Sequence, residues 1–339
     1  MKTLVTGSVG FIGAALTQRL LDIGDEVVGI DNHNDYYDPA LKEARLGLFN
    51  GHANYQHARL DITDRLGLEK LFEQHRPQRV VHLAAQAGVR YSIDNPMAYI
   101  DSNIVGFANV LDNSRKHNIS HFVYASTSSV YGANTALPFT ERQNVDHPLS
   151  LYAATKKSNE LMAHAYSHLY KMPTTGLRFF TVYGPWGRPD MALFKFAKAI
   201  IENKPIQIYN NGKHRRDFTY IDDIVEGVIR VLDRPAQIDP NWDGLNPNPN
   251  TSNSPYRIYN IGNSRSIELM EYIVALEKSL GKLAKKEYLS IQLGDVPNTH
   301  ADISQISGDC HYSPHIDVTT GVARFVDWYL AHYTKQPIV

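Results

Sequence analysis

Close to the start of this 339-residue chain stands the stretch Thr3-Leu4-Val5-Thr6-Gly7-Ser8-Val9-Gly10-Phe11-Ile12-Gly13. Its first four residues predict a short buried strand, and helical spacing of apolar residues begins at Phe11. Three glycines at intervals of three residues therefore lie in a strand-to-helix turn. Glycine lets the backbone approach a pyrophosphate, whose charge meets free N–H groups at the helix N-terminus. Glycines also mark ordinary turns, so other signals must support a nucleotide site.

Short apolar runs alternate with longer amphipathic segments through the first half of the chain, which predicts repeated β-α units. The predicted strands are Thr3–Thr6, Glu26–Ile30, Arg79–His82, His121–Ala125 and Thr175–Arg178. The predicted helices are Phe11–Ile23, Asn103–His117, Ala153–Tyr170 and Met191–Glu202. This order predicts an α/β protein with a doubly wound parallel sheet.

The chain is long enough for two compact units, since a single hydrophobic core stops growing at roughly 250–300 residues. We expect a first domain over residues 1–180, to which residues 217–240 and 257–262 return. A smaller C-terminal lobe over residues 181–339 would cover a substrate. The stretch Pro235–Tyr256 is rich in Pro and Asn, which predicts an exposed loop.

The composition is that of an ordinary globular protein, with 43% hydrophobic and 20% charged residues. A formal net charge of −1 offers no basic surface for nucleic acid, which favours a small-molecule ligand. No segment approaches about 18 uninterrupted apolar residues, so we expect no membrane partner. The single cysteine, Cys310, cannot form an intramolecular disulfide, and the start of the sequence has no signal-peptide core. These features favour the cytoplasm.

An acidic residue follows the second predicted strand, where Ile30 leads into Asp31-Asn32. A carboxylate there would accept hydrogen bonds from the ribose hydroxyls of an adenosine and would repel a 2′-phosphate. The position therefore favours NAD over NADP. A helix or turn cap is the alternative role for Asp31.

Tyr152 and Lys156 stand four residues apart, which places a phenol and an ammonium on one face of a helix. The lysine charge favours phenolate and would lower the tyrosine pKa from about 10 toward neutrality, making Tyr152 a candidate general base. Hydroxyl side chains follow the predicted strand His121–Ala125, in the run Ser126-Thr127-Ser128-Ser129. Open α/β sheets bind ligands at such carboxyl ends of strands.

Together, the glycine loop, the segment Leu83-Ala84-Ala85-Gln86, the hydroxyls before Val130-Tyr131-Gly132 and the Tyr152/Lys156 pair resemble the extended short-chain dehydrogenases, a Rossmann-type family. The resemblance implies NAD as cofactor and a catalytic triad of Thr127, Tyr152 and Lys156. It places Asp61-Ile62 beside the adenine and Asn103 near the nicotinamide-side ribose or the catalytic helix. The implied cofactor-binding residues are Gly7, Gly10, Phe11, Ile12, Gly13, Asp31, Asn32, Asp61, Ile62, Ala84, Ala85, Asn103, Tyr152 and Lys156.

The family's chemistry implies transient oxidation of a sugar nucleotide. Tyr152 would take the proton of a sugar C4 hydroxyl while hydride leaves C4 for NAD and returns to the other face. Related dehydratases and decarboxylases carry an acidic residue just after the triad hydroxyl, where this chain has Ser128 and Ser129. Epimerisation is therefore favoured over either competitor.

Three segments resemble the UDP-glucuronate 4-epimerases within that family, which implies UDP-glucuronate as substrate and UDP-galacturonate as product. They are Asn34–Pro39, Leu177–Asp190 and Arg215–Asp223. A guanidinium fork binds a carboxylate bidentately, so Arg188 is the candidate for the uronate C6 carboxylate and Arg90 the second choice. The 4-keto form is a β-keto acid, which loses CO₂ when its C5–C6 bond stands perpendicular to the carbonyl. We hypothesise that Arg188 with Ser128 or Ser129 holds the carboxylate near the carbonyl plane.

For the rest of the substrate, the resemblance implies Thr181 in the sugar pocket, Arg216 on the UDP phosphates and Asp295 on the uridine ribose. Several related epimerases carry a second phosphate-binding arginine three positions before the matching aspartate, where this chain has Gln292. The diphosphate contacts therefore stay open.

Other functions remain open alternatives to UDP-glucuronate epimerisation. They are C4 epimerisation of UDP-glucose or UDP-N-acetylglucosamine, net oxidation with release of NADH, and nucleotide binding without catalysis. His164 and His168 have a spacing that can bind a metal ion, but no third ligand is evident, so no metal is predicted. The family usually pairs the helices around Asn103–His117 and Ala153–Tyr170, which implies a homodimer.

Overall fold

The computed structural model describes residues 1–292 and 294–333, so residue 293 and residues 334–339 of the predicted lobe lie outside the described residues. The strands are β1 (Lys2–Thr6), β2 (Glu26–Asp31), β3 (Tyr55–Arg59), β4 (Arg79–His82), β5 (His121–Thr127), β6 (Thr174–Phe179), β7 (Thr181–Tyr183), β8 (Pro205–Ile208), β9 (Arg215–Tyr220), β10 (Tyr256–Ile261), β11 (Ser266–Glu268) and β12 (Lys285–Tyr288). The helices are α1 (Phe11–Asp22), α2 (Pro39–Gly47), α3 (Arg65–His75), α4 (Tyr91–Asp94), α5 (Pro96–Tyr99), α6 (Phe107–Lys116), α7 (Leu151–Tyr170), α8 (Ala192–Ile201), α9 (Ile221–Leu232), α10 (Leu269–Leu280), α11 (Ser304–Cys310) and α12 (Val318–Tyr333).

A seven-stranded sheet in the order β10-β6-β5-β4-β1-β2-β3 forms the centre of the molecule, and every pairing in it is parallel. The strand order reverses between β1 and β4, which opens a crevice at their carboxyl ends, where such sheets bind ligands. The predicted doubly wound α/β fold is therefore confirmed. Two smaller sheets, β11-β9-β7 and β12-β8, lie in the second half of the chain.

Apolar side chains pack on both faces of the large sheet. One cluster joins β2 and β4 to α3 and α6 through residues such as Leu68 and Phe107. The other cluster runs from Val5 and Leu177 in the large sheet to Phe218 and Tyr272 in the second half of the chain. The two parts of the molecule therefore share one continuous core. Within the described residues, no helix has the length and apolar character needed to cross a bilayer.

The sequence missed the edge strand β3, whose residues Gln56, His57 and Arg59 break the apolar pattern of a buried strand. The predicted helix Asn103–His117 begins instead as a π-helical segment, Ile100–Gly106, that continues into α6. Such segments frequently occur at functional sites.

The stretch between α9 and β10 is an exposed loop only in part. Leu245 is 90% exposed, whereas Asn250 and Ser252 are buried. His164 bonds the Ser252 hydroxyl at 2.9 Å and His168 bonds that of Ser254 at 3.2 Å, so α7 holds the end of the loop. These bonds give the two histidines a packing role. Across residues 1–292 and 294–333, no group of three or more potential ligands could hold a metal ion.

Candidate active site

The glycine loop leaves no room for side chains. Gly7 has a φ of +69°, and a Cβ there would lie 2.8 Å from the backbone nitrogen of Ala84. A Cβ on Gly13 would lie 2.0 Å from the Gly7 carbonyl oxygen. Gly10 is the N-cap of α1 and supplies no capping side chain, so the first N–H groups of the helix remain available. This cradle fits the diphosphate of a dinucleotide.

Acidic and amide side chains lie at the carboxyl ends of β2 and β3. Asp31 is buried, and its carboxylate accepts a bond from the His33 N–H at 2.9 Å, with Lys42 Nζ 3.5 Å away. Asn32 donates to Asp61 at 2.7 Å. Burial would raise the pKa of Asp61, but the bonds from Asn32 and Thr63 bring it below its usual value. These groups can meet the hydroxyls of an adenosine ribose.

The apolar residues assigned to the cofactor are largely part of the core. Phe11 and Ile62 are each 6% exposed, and Ile62 packs against Gly106. Ile12, Ala84 and Ala85 are half-buried. Phe11 and Ile62 can therefore meet a cofactor mainly through their backbone.

Asn103 lies in the π-helical segment and joins two parts of the site. Its side chain accepts a bond from the Gln86 N–H at 2.9 Å and donates to the Gln86 carbonyl at 3.0 Å. It also donates to the Thr155 hydroxyl on α7 at 3.1 Å. The bond to Thr155 is a contact with the predicted catalytic helix, and the placement of Asn103 near the nicotinamide-side ribose stays a prediction. The amide therefore fixes the strand-end loop after β4 against α7.

The triad residues lie on two elements, the end of β5 and the first turns of α7. Thr127 ends β5, and its hydroxyl donates to that of Ser129 at 3.2 Å while accepting from the Ser129 N–H. Tyr152 and Lys156 lie in the first turns of α7, which Ser150 caps by accepting from the Ala153 N–H. Lys156 is buried and donates to the Ala125 carbonyl at 2.9 Å. The catalytic role of these residues stays a prediction.

The charge environment of Tyr152 differs from the predicted one. Burial raises the pKa of its phenol, and the Thr127 hydroxyl and the Arg188 guanidinium lower it only in part. Burial lowers the pKa of Lys156 to about 8, so the ammonium form still predominates at neutral pH. The prediction that Lys156 brings the phenol toward neutrality is therefore wrong for the polypeptide itself. Among the described residues, Arg188 is the cation that opposes the burial of a phenolate.

A buried polar chain lies behind the triad. Ser126 donates to Glu160 at 2.6 Å, and Arg178 binds the same carboxylate through Nε and Nη2, each at 2.9 Å. Tyr131, which accepts from Arg178 at 3.1 Å, donates to the Asn260 side chain at 2.6 Å.

The far end of this chain is Glu141, which accepts from the Asn260 N–H at 2.8 Å. Burial raises the pKa of Glu141 to about 7. The chain of bonds thus ties β5, β6, α7 and β10 together at the edge of the sheet where the triad lies. Single-sequence patterns gave no sign of it.

Arg188 lies beside the triad but is already paired. Its Nε and Nη2 bind the Asp190 carboxylate at 3.0 and 2.5 Å, and Tyr36 donates to the same carboxylate at 3.2 Å. The predicted bidentate grip on a uronate stays a prediction, and in this structure Asp190 occupies the Nε and Nη2 donors of the fork. The Nη1 atom of Arg188 has no hydrogen-bond acceptor among the described residues and can therefore bind a ligand. Sequence reasoning missed Asp190 and Tyr36, although both lie in segments that it singled out.

The hydroxyl residues assigned to the substrate lie on two elements of the fold. Ser128 and Ser129 open a 3-10 turn, Ser128–Tyr131, directly after Thr127, and both are half-buried. Thr181 is the first residue of β7 and pairs in register with Phe218 of β9. A small cavity of about 30 Å³ is lined by residues that include Thr181 and Arg188.

A second charged group contains Arg90, Arg216 and Asp295. Arg90 donates to Asp295 at 3.1 Å and stands 5.0 Å from the ring centre of Tyr209. Arg216 donates to the Pro297 carbonyl at 2.8 Å; burial lowers its pKa, Asp295 opposes the shift, and Arg90 adds to it. Arg90 therefore forms one charged group with Arg216 and Asp295. Its second-choice role on the uronate carboxylate stays a prediction.

Comparison with known proteins agrees with this geometry. Residues 3–262 match the model of the NAD dependent epimerase/dehydratase family. The chain is 55% identical to Protein CapI of Staphylococcus aureus over 335 residues, 99% of this chain and 100% of that protein. It is 46% identical to the probable UDP-glucuronate 4-epimerase of Rhizobium meliloti strain 1021, over 99% of this chain and 98% of that protein.

A solved structure is also similar to this one. It is the UDP-glucuronic acid 4-epimerase of Bacillus cereus in complex with UDP-glucuronic acid and NAD. The TM-score is 0.87 at 35% identity, with 98% of this chain and 100% of that chain covered. The chain therefore belongs to the NAD-dependent epimerase/dehydratase family.

Proposed function

We propose that this protein is an isomerase that inverts C4 of UDP-glucuronate to give UDP-galacturonate. The observation that carries the proposal is that three features lie together at the carboxyl ends of the strands: the glycine cradle, the triad residues and the Arg188 side chain. The glycine cradle would hold NAD, which would supply the hydride acceptor for C4 and the hydride donor to its opposite face, so that the sugar would pass through a 4-keto form without net oxidation.

The residues of the chain divide the remaining work. Tyr152 takes the C4 hydroxyl proton, the Thr127 hydroxyl and the Arg188 charge stabilise its phenolate, and Lys156 completes the triad that the resemblance implies. Arg188 holds the C6 carboxylate through Nη1, with the hydroxyls of Ser128, Ser129 and Thr181 as further donors. That contact keeps the β-keto acid near the carbonyl plane and so suppresses loss of CO₂.

The second charged group binds the nucleotide end of the substrate. Arg216 and Arg90 supply positive charge to the diphosphate, and Arg90 makes up for the arginine that Gln292 replaces. Asp295 accepts hydrogen bonds from the uridine ribose. We assign NAD binding to residues 1–180 with 217–240 and 257–262, and UDP-sugar binding to residues 181–339.

Two wider properties belong to the same proposal. Val105, Leu161 and Leu169 are 45%, 59% and 66% exposed on the π-helical segment and α7, which fits a homodimer that pairs these helices. Cys310 is free and buried, which fits work in the reducing cytoplasm.

Incubation with three UDP-sugars tests the proposal. Purified protein is given UDP-glucuronate, UDP-glucose or UDP-N-acetylglucosamine, and proton NMR follows the C4 stereocentre. We expect UDP-galacturonate to form at a rate well above that of any neutral product, with no accumulation of NADH. Stoichiometric NADH would identify a net oxidoreductase, and a preference for a neutral sugar would reassign the substrate.

A further inference from the structure

The turn that carries Arg188 has an uncommon backbone. Gly184 has a φ of +142° and Trp186 a φ of +60°. A bulky non-glycine residue in the left-handed region persists only where its surroundings hold it there. The placement of Arg188 two residues later therefore depends on whatever holds Trp186.

Arg45 of α2 holds this turn. Its side chain is fully buried, and its nitrogen atoms make five hydrogen bonds to four acceptors. The Trp186 carbonyl accepts from Nε at 3.2 Å and from Nη2 at 2.7 Å, and the Gly187 carbonyl accepts from Nη2 at 3.2 Å. A guanidinium has five N–H donors, so the whole donor set of Arg45 is used.

The same guanidinium reaches the cofactor loop. Nη1 donates to the Val9 carbonyl at 3.1 Å and to the Tyr37 hydroxyl at 2.6 Å. Val9 lies between the first two glycines of the cradle, so one side chain joins the cradle to the Arg188 turn. A lysine has three donors on a single atom and cannot span these acceptors.

A second contact from the same segment secures the other end of the turn. Tyr36 donates to Asp190, whose carboxylate binds the Nε and Nη2 of Arg188. Tyr36 and Tyr37 belong to the stretch Asn34–Pro39, so the turn is attached on both sides of Arg188 to residues just before or within α2. We call Tyr36, Tyr37 and Arg45 the α2 bracket.

We propose that Arg45 is a positioning residue that sets Arg188 against Tyr152 and the uronate carboxylate, with Tyr36 and Tyr37 as its supports. The inference rests on the proposed function and explains how the chain restrains a reactive 4-keto acid. When the bracket loosens, the C5–C6 bond of that acid can rotate out of the carbonyl plane. The C5–C6 bond then breaks, and its electron pair passes to C5 and on toward the ketone oxygen. CO₂ leaves, and protonation of C5 by solvent gives a UDP-4-keto-pentose. The hydride already taken from C4 stays on the cofactor.

The test compares Arg45→Lys and Arg45→Gln with Arg79→Lys. Arg79 is a matched control because it is also a buried arginine, paired with Asp25 and Asp233 at the opposite end of the sheet. Since small displacements of positioning groups can cost up to about a hundredfold in rate, we expect kcat on UDP-glucuronate to fall about tenfold in both Arg45 variants. The ratio of 4-keto-pentose to UDP-galacturonate should rise severalfold, as it should in Arg188→Ala. Arg79→Lys should keep the wild-type ratio.

Hydrogen–deuterium exchange gives a readout that needs no turnover. Residues 184–190 should exchange faster in the Arg45 variants and at the wild-type rate in Arg79→Lys. Wild-type exchange together with the wild-type product ratio in Arg45→Lys would overturn the inference. If the Arg45 variants do not fold, Tyr36→Phe and Asp190→Asn replace them, and an unchanged product ratio in both overturns it equally. Absence of UDP-glucuronate turnover in the wild type would count against the proposed function, while the exchange experiment would still decide whether the bracket holds the turn.

Discussion

The two halves of the candidate site are built in opposite ways. The triad half is buried on strands and a long helix: Thr127 is 7% and Lys156 2% exposed, with Glu160 and Arg178 sealed behind them. The nucleotide half carries its charges near the surface, and the Arg90 side chain is 47% exposed in its ion pair with Asp295. Proton and hydride transfer need fixed geometry, whereas a diphosphate needs mainly accessible charge. The halves should therefore respond differently to substitution, pH and salt.

The largest effect is expected in the triad half. Tyr152→Phe removes the proton acceptor, so kcat should fall about 10²- to 10⁴-fold, the usual contribution of a positioned general base. Because neither Arg216 nor Asp295 is among the groups that influence the pKa of the phenol, the dissociation constant for UDP should change little. Turnover is measured by NMR and binding by calorimetry. Equal losses in turnover and UDP affinity would show that the two halves are not separable.

Stability should depend on pH through the buried chain behind the triad. The pKa of Glu141 is raised from 4.5 to about 7, so the folded state favours the protonated carboxyl. Below pH 4.5 the group is protonated whether the chain is folded or unfolded, and above pH 7 the folded protein must bury a carboxylate. Its contribution to the free energy of unfolding is therefore present at low pH and lost as pH rises through 7.

Glu141→Gln removes this titration while its side-chain oxygen can still accept from the Asn260 N–H. Relative to wild type, the variant should gain up to about 3 kcal/mol between pH 5 and pH 8, the equivalent of a shift of roughly two pKa units. Urea unfolding at both pH values measures the difference. Glu73→Gln, which removes an exposed carboxylate on α3, should show no such gain. A flat difference for Glu141→Gln would mean that water reaches the network.

The sequence predicted the features that depend on short local motifs. The glycine loop, the strand-end hydroxyls and the Tyr152/Lys156 pair each lie within a few residues, and the structure places all three at one edge of the predicted sheet. It failed for contacts between distant segments. Arg90 meets Asp295 across 205 positions, and Arg45 meets Trp186 across 141. No periodicity encodes such pairings, because they arise only once the folded elements bring the segments together.

Asp190 shows a different limit. It stands two residues from Arg188, so the sequence shows that the two residues are neighbours. The sequence does not show the direction of the carboxylate, because a side chain on a Gly/Pro-rich turn can point in many directions. The Tyr36 hydroxyl, 154 positions away, fixes its direction. The π-helical start at Ile100 was likewise hidden, since its apolar spacing resembles that of an α-helix.

The smallest effects are expected in the nucleotide half, where two arginines of similar exposure allow a matched test. The Arg90 and Arg215 side chains are each 47% exposed, and each pairs with a carboxylate at about 3 Å, Asp295 and Glu268 respectively. Surface ion pairs are worth about 0–1 kcal/mol, so neither Arg90→Ala nor Arg215→Ala should destabilise the fold measurably.

Arg90→Ala should still raise the KM for UDP-glucuronate about threefold, because removing the guanidinium leaves the Asp295 carboxylate to repel the diphosphate. Arg216→Ala, at the less exposed position, should raise it about tenfold with kcat nearly unchanged, and Arg215→Ala should leave it unaltered. Added salt should shrink the Arg90 effect more than the Arg216 effect, since exposed charges are screened more strongly than partly buried ones. An equal rise in KM for Arg90→Ala and Arg215→Ala would show that general surface charge, and not the group around Asp295, attracts the nucleotide.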